Sequence, residues 1–219
     1  MSVRALLLPL LLAVVPALAP ASYVLDSEHS SATFTLHALW VFDVNGAFDG
    51  VHGEVQTDPE AGTARVDAWL DAGSLRMRNP GYDDWARSPD FFDVERYPRI
   101  TFHSDAFPLD KLRQGGVLTG MLVLHGFSGP VDLQLQPSPC APTAAPDCPL
   151  RIRGEISRSA FGMRSHRGML SDKVELDLSV IVRPAAEAPP TEAPAPAGSS
   201  APPASPSSVA MPAPAGSSG

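Results

Sequence analysis

The sequence predicts an all-β protein whose antiparallel sheet either closes on itself or packs as a sandwich. Apolar and polar residues alternate with a period of two through most of residues 22–183. Gly- and Pro-rich punctuation separates the alternating runs. Each run keeps one wet face, which parallel strands covered on both sides lack.

The elements follow in order. A short strand is expected at 23–26. Over 32–40, Ala32, Phe34, Leu36, Ala38 and Trp40 share one face, with Thr33, Thr35 and His37 opposite. Residues 44–57 read as two strands punctuated by Asn45-Gly46 and Asp49-Gly50. Over 63–71, Ala64, Val66, Ala68 and Leu70 oppose Arg65, Asp67, Trp69 and Asp71. Strands are expected at 99–107, at 116–125 (Leu118, Gly120, Leu122, Leu124 on one face) and at 130–136 (Val131, Leu133, Leu135). Two more follow at 151–160 (Ile152, Gly154, Ile156) and at 173–183, where Val174, Leu176, Leu178, Val180 and Val182 oppose Glu175, Asp177 and Ser179. These runs number ten, and a barrel of about eight strands is expected from them. The stretch Pro80–Phe92 does not alternate. Pro80 suits a first helical turn and Pro89 limits its run, so one short helix is expected, with Phe91, Phe92 and Trp85 covering an end of the sheet.

The two ends read differently. In residues 1–21, Arg4 precedes an apolar run from Ala5 to Leu18, and Ala19-Pro20-Ala21 supplies small residues. This is the pattern of a secretory signal cleaved after Ala21, which directs the chain to the periplasm or out of the cell. The run falls short of the ~20 residues a bilayer span needs, so no transmembrane segment is expected after cleavage. Residues 184–219 hold ten of the 24 prolines, with Ala, Ser and Gly as the other main residues, and read as a disordered tail. Cys140 and Cys148 bracket a proline-containing loop. In an exported protein they are expected to form a disulfide, with a gain of roughly 2–3 kcal/mol at most.

Of the 219 residues, 16 are Lys or Arg and 24 are Asp or Glu, a net charge of −8. The folded part, 22–183, keeps 15 basic against 22 acidic residues, or −7. That excludes a general nucleic-acid binder, which needs a basic face. Recognisable catalytic motifs are absent. Gly126-Phe127-Ser128-Gly129-Pro130 is not a nucleophile elbow and joins two strands. The six histidines are scattered without metal-ligand spacing. One basic cluster, Arg158 with Arg164, His166 and Arg167, reverses the local sign. It reads either as an anion-receiving rim or as a solvated loop.

Spaced motifs then line up in order: Tyr23-Val24-Leu25-Asp26-Ser27-Glu28-His29-Ser30 with Phe34 and His37; Gly46-Ala47-Phe48 with Gly53; Ser88-Pro89-Asp90-Phe91-Phe92-Asp93 leading to Tyr97-Pro98-Arg99-Ile100-Thr101-Phe102. Leu118–Gly126, Pro130-Val131, Gly154, Ser157-Arg158-Ser159, Phe161-Gly162-Met163, Leu170, Asp172 and Val174 continue the series. Over residues 23–183 the chain resembles YceI-like proteins. The resemblance implies a lipocalin-like antiparallel β-barrel that holds a polyisoprenoid or isoprenoid-quinone lipid in an elongated cavity, with no other cofactor and no catalytic residue. One departure stands out: where the family often has Arg-Asp-x-His-Leu, this chain has Tyr82-Asp83-Asp84-Trp85-Ala86.

On that basis the expected lipid-facing residues are Phe34, Leu36, Val66, Leu70, Phe102, Leu122, Leu124, Leu133, Ile156, Phe161, Leu176 and Leu178. The expected head-group contacts are Arg158, Arg164, His166 and Arg167. The expected partner is an isoprenoid lipid, with a homodimer left open and no nucleic acid. Two other readings stay open: an envelope interaction module with a filled barrel and no ligand, and an enzyme acting on an isoprenoid, which needs polar groups converging in the pocket.

Overall fold

In the computed structural model the residues described are 21–39, 41–138 and 149–185. Thirteen strands and two one-turn helices appear among them. They are β1 (Ser22–Leu25), β2 (Ser31–Ala38), β3 (Phe42–Asp49), β4 (His52–Asp58), β5 (Thr63–Asp71), β6 (Arg76–Met77), α1 (Asp83–Arg87), β7 (Arg99–Ser104) and β8 (Phe107–Pro108). Then come α2 (Lys111–Gln114), β9 (Gly116–Leu124), β10 (Phe127–Leu135), β11 (Leu150–Ser157), β12 (Leu170–Val180) and β13 (Val182–Pro184). Both terminal segments, residue 40 and the Cys140–Cys148 loop lie outside the described residues, so the signal, tail and disulfide expectations fall there.

Every ladder is antiparallel, in the order β13-β1-β4-β5-β7-β9-β10-β11-β12-β2-β3-β6, with β8 beside β5. The sheet is therefore a single curled one, with more strands than the eight or so expected. The excess has a physical cause: long strands break at corners. β1 and β2 are separated by 26–30, β3 and β4 by Gly50-Val51, and β12 and β13 by Ile181 alone. At the last corner the 26–30 segment takes over from the ladder. Asp26 N donates to Ile181 O (2.9 Å), and Ile181 N donates to Ser30 Oγ (3.0 Å). Asp26 also pairs with Arg183 at 2.6 Å. The two-residue strands β6 and β8 are too short for alternation to reveal.

The alternation itself sets the core. In β9, Leu118, Gly120, Leu122 and Leu124 are buried while Val117, Thr119 and Met121 are exposed. The same two-faced pattern recurs in β2, β10 and β12, so all inward positions meet in one cluster.

The non-alternating stretch forms the expected helix. Asn79 caps a 3-10 turn at Pro80–Tyr82 by accepting from Gly81 N (3.2 Å), and α1 continues from it. Asp83 accepts from Met77 N (2.7 Å), tying α1 to β6. α2 was not signalled by the sequence. It is a single turn ended by Gly115 at φ 78°.

Candidate functional site

The inward faces do not fill the space between them. A cavity runs along the inside of the curl; the space between its lining atoms is about 1490 Å³ when the open solvent at its mouths is counted, and the part that the centre of a water-sized molecule can occupy is about 180 Å³. Along β12 and β13 its wall extends from Val174 to Val182, about 26 Å of strand at ~3.3 Å per residue. Of the 35 residues lining it, only Thr33, Trp69, Thr101 and Arg158 are polar types.

Three glycines on the inward face help keep this space open. A Cβ on Gly46 would overlap the ring of Phe34, its cross-strand partner. One on Gly120 would meet the His103 carbonyl oxygen and the Phe102 ring, and one on Gly154 would meet Leu133. At each position a large side chain lies flat against the wall instead of standing into the lumen. At one end Phe34, Phe48 and Phe92 form a triangle with ring centroids 5.5–5.8 Å apart. Phe91 and Phe92, expected to cover an end of the sheet, both line the cavity there. Trp85 stands behind Phe91 at 4.0 Å.

At this end Arg158 is 2% exposed. Its Nε donates to Ser171 O (2.9 Å), and Nη1 donates to Met163 O (2.9 Å) and Ser165 O (2.7 Å). Nη2 donates to Leu170 O (3.3 Å). Burial pushes the guanidinium below its ordinary value, against the opposing pull of Asp172. Burial also works to raise the Asp172 carboxyl, but it is outweighed. Hydrogen bonds from the Ser157 and Ser159 hydroxyls and the Ser159 amide, with the Arg158 charge, hold it below the usual carboxylate range.

Of the twelve residues expected to face a lipid, eleven line the cavity: Phe34, Leu36, Val66, Leu70, Phe102, Leu122, Leu124, Leu133, Ile156, Leu176 and Leu178. Phe161 does not. It is buried outside the cavity wall, its ring 3.4 Å from where a Cβ on Gly129 would sit. The four head-group candidates separate. Arg158 reaches the wall, but four of its five N–H groups are taken by backbone carbonyls, so it clamps the 163–171 loop. Arg164, His166 and Arg167 are exposed, and His166 stacks on Phe91 at 5.8 Å.

The sequence reading missed the far end of the cavity. There Val55, Leu112, Leu150 and Val182 line both the main cavity and an adjoining space of about 580 Å³, open solvent included. Leu112 comes from the unforeseen helix α2, and Val182 lies beyond a strand corner. Among the described residues no group of three or more His, Cys, Asp or Glu is placed to hold a metal, and no helix is long and apolar enough to cross a membrane.

Comparison with known proteins agrees with this architecture. The family model for the YceI-like domain matches residues 23–182. Protein YceI of Salmonella arizonae is 27% identical over 169 residues, covering 73% of this chain and 85% of that protein. The crystal structure of BcnA from Burkholderia cenocepacia superposes with a TM-score of 0.59 at 22% identity, covering 71% of this chain and 98% of that one. A polyisoprenoid-binding domain from Saccharophagus degradans, implicated in plant cell wall breakdown, superposes at 0.56 with 16% identity, covering 75% and 99%.

Proposed function

Since the chain belongs to the YceI-like domain family, we propose that it is an exported lipid carrier, and not an enzyme, sheltering a polyisoprenoid or isoprenoid-quinone chain in its cavity. The observation that carries this is the elongated void walled almost entirely by carbon. Water leaves such a space readily, and each CH₂ that replaces it contributes about 0.8 kcal/mol. A filled barrel, the interaction-module reading, would leave no such room.

Strand pairing supports a closed curl around that void. β12 pairs with β11 on one edge and with β2 on the other, and β13, one residue later, pairs with β1. β1 continues to β4, so the path returns to its start through the bent last strand. Counted as bent strands, the ring has eight members, enough to hold one ligand. Residues 1–21 fit the export half of the proposal, since they have the order of a cleavable signal.

The test is mass spectrometry of an organic extract of natively purified protein, which should release an isoprenoid. Leu122 sits mid-wall, so Leu122→Trp should fill the lumen while the sheet survives. Excluding even three CH₂ groups weakens binding by roughly 2.4 kcal/mol, about fiftyfold. Unchanged loading in that variant, or an extract free of lipid, would refute the proposal.

A further inference from the structure

The strands β2, β5, β9 and β11 run in the same direction, because every ladder between them is antiparallel. The connections that leave their C-terminal ends therefore share one end of the sheet: 39–41, 72–98, 125–126 and 158–169. Among the described residues eight large apolar side chains are exposed. Six of them belong to these connections or directly adjoin one: Leu39, Val41, Phe42, Tyr82, Phe127 and Met169. Val41 is 75% exposed and Phe42 63%. Leu39 N donates to Met169 O (2.7 Å), which joins the hairpin tip to the Arg158 loop in one patch. Leu39 holds this position at φ 49°, a costly conformation for a bulky residue.

The charge of this end differs from that of the molecule. The four connections contain seven arginines against five carboxylates, in a chain of net charge −8; Arg158 is buried in its carbonyl clamp and Arg76 pairs with Asp49, so the local excess of positive charge lies in the 163–169 segment, which holds Arg164 and Arg167 and no carboxylate. Arg164 and Arg167 are exposed and form no ion pair or hydrogen bond among the described residues. Asp84 and Glu95 are exposed on the 72–98 connection, outside that segment. Asp43 lies 2.8 Å from His37, and Asp90 accepts from Ser165 at 3.4 Å.

We infer that this end docks on an anionic phospholipid surface. Leu39, Val41, Phe42 and Met169 enter the interface, and Arg164 and Arg167 meet the phosphates. An acidic molecule is repelled by such a surface except where positive charge is locally in excess, and the 163–169 segment brings that excess beside the unpartnered apolar tips at Leu39 and Met169. The same connections supply Phe91, Arg158 and Met163 to the cavity wall, so docking sets an end of the cavity against the bilayer. The inference rests on the surface and not on what the cavity holds.

The test uses the full-length protein with phosphatidylcholine vesicles, with and without phosphatidylglycerol, at low and high salt. Binding should require phosphatidylglycerol and weaken with salt. Hydrogen exchange in the bound state should show new protection at residues 38–44 and 163–170. Replacing both Arg164 and Arg167 with Gln should weaken binding at least tenfold, from about fivefold per arginine. Val41→Ser with Phe42→Ser should do likewise, and all are surface changes that leave the circular dichroism spectrum unaltered. No binding, protection confined to other segments, or variants that bind as the parent does would each overturn the inference. Protection of these segments without vesicles, growing with protein concentration, would also overturn it, in favour of a protein partner. Lipid extracted from the same samples separates the two proposals. Lost docking with loading intact refutes only the surface, and empty protein that still docks refutes only the cavity.

Discussion

Replacing Arg158 with Met isolates the clamp at the cavity end. The methionine fills most of the space of the apolar stem and removes only the guanidinium. Four carbonyl oxygens lose their donor. The bonds to Met163 O and Leu170 O are buried, while those to Ser165 O and Ser171 O are partly open to water. A stranded buried acceptor costs about 1–3 kcal/mol. Two of them, with smaller contributions from the wetter pair, give a loss of about 3–4 kcal/mol, within the ~3–5 kcal/mol seen when one member of a buried charged network is removed. Domains of this kind have about 5–15 kcal/mol in total. In urea, with a slope near 2 kcal/mol/M, the midpoint should fall by roughly 1.5–2 M. Arg158→Lys should recover less than half of the loss, because an ammonium group cannot span four carbonyls arranged around a planar fork. Lipid loading per folded molecule should persist in both variants. A loss under ~1 kcal/mol would refute the clamp. So would intact stability with abolished loading, which would make Arg158 a head-group ligand instead.

Other consequences follow from the wall and its anchors. Gly46→Val should push the Phe34 ring into the lumen, costing about 1–3 kcal/mol as overpacking; a melting curve should fall by several degrees, and extracted lipid should drop with it. Asp26 and Asp172 both titrate below the usual carboxylate value. Burial works against this, but at Asp26 the hydrogen bond from His29 and the Arg183 charge prevail, and at Asp172 the Ser157 and Ser159 bonds do. Their stabilising contribution is therefore present above the unfolded-state pKa of about 3.9 and is lost as pH falls through the lower folded value. Urea midpoints at pH 6 and pH 3 should converge in an Asp26→Asn, Asp172→Asn double variant relative to the parent. Asp83→Ala removes the acceptor for Met77 N and should loosen α1 from β6, read as faster hydrogen exchange at Met77 with the rest of the sheet unchanged.

Which residues face inward was legible because a strand's side-chain period is two and nearly every inward position is apolar. That logic reached eleven of the cavity's lining residues. It failed at Phe161, which lies past the end of β11 in a 3-10 turn, where the period no longer applies. Strand number was not legible, since a corner such as Ile181 preserves the hydrophobic alternation while its hydrogen bonds pass to Asp26 and Ser30. The role of Arg158 was hidden for a related reason. A sequence shows a charge but not the carbonyls folded around it, and nothing in Ser157-Arg158-Ser159 distinguishes a clamp from a ligand.

Whether the inward faces enclose a void or fill it does leave a trace, in the glycines. A Gly at an inward position weakens a strand and contributes no packing. Gly46 and Gly154 lie directly across from Phe34 and Leu133, and Gly120 lies one inward step along from Phe102. Replacing Gly46 or Gly154 with a residue bearing a Cβ would force its large neighbour to move, and at Gly120 a Cβ would press on the His103 carbonyl as well as on the Phe102 ring. Three such pairings around one curl thin the wall where the lumen would otherwise narrow. A reader of the sequence who fixes register first, and then looks for glycine beside a large apolar residue on the inward face, has a local criterion for a hollow barrel that does not depend on family resemblance.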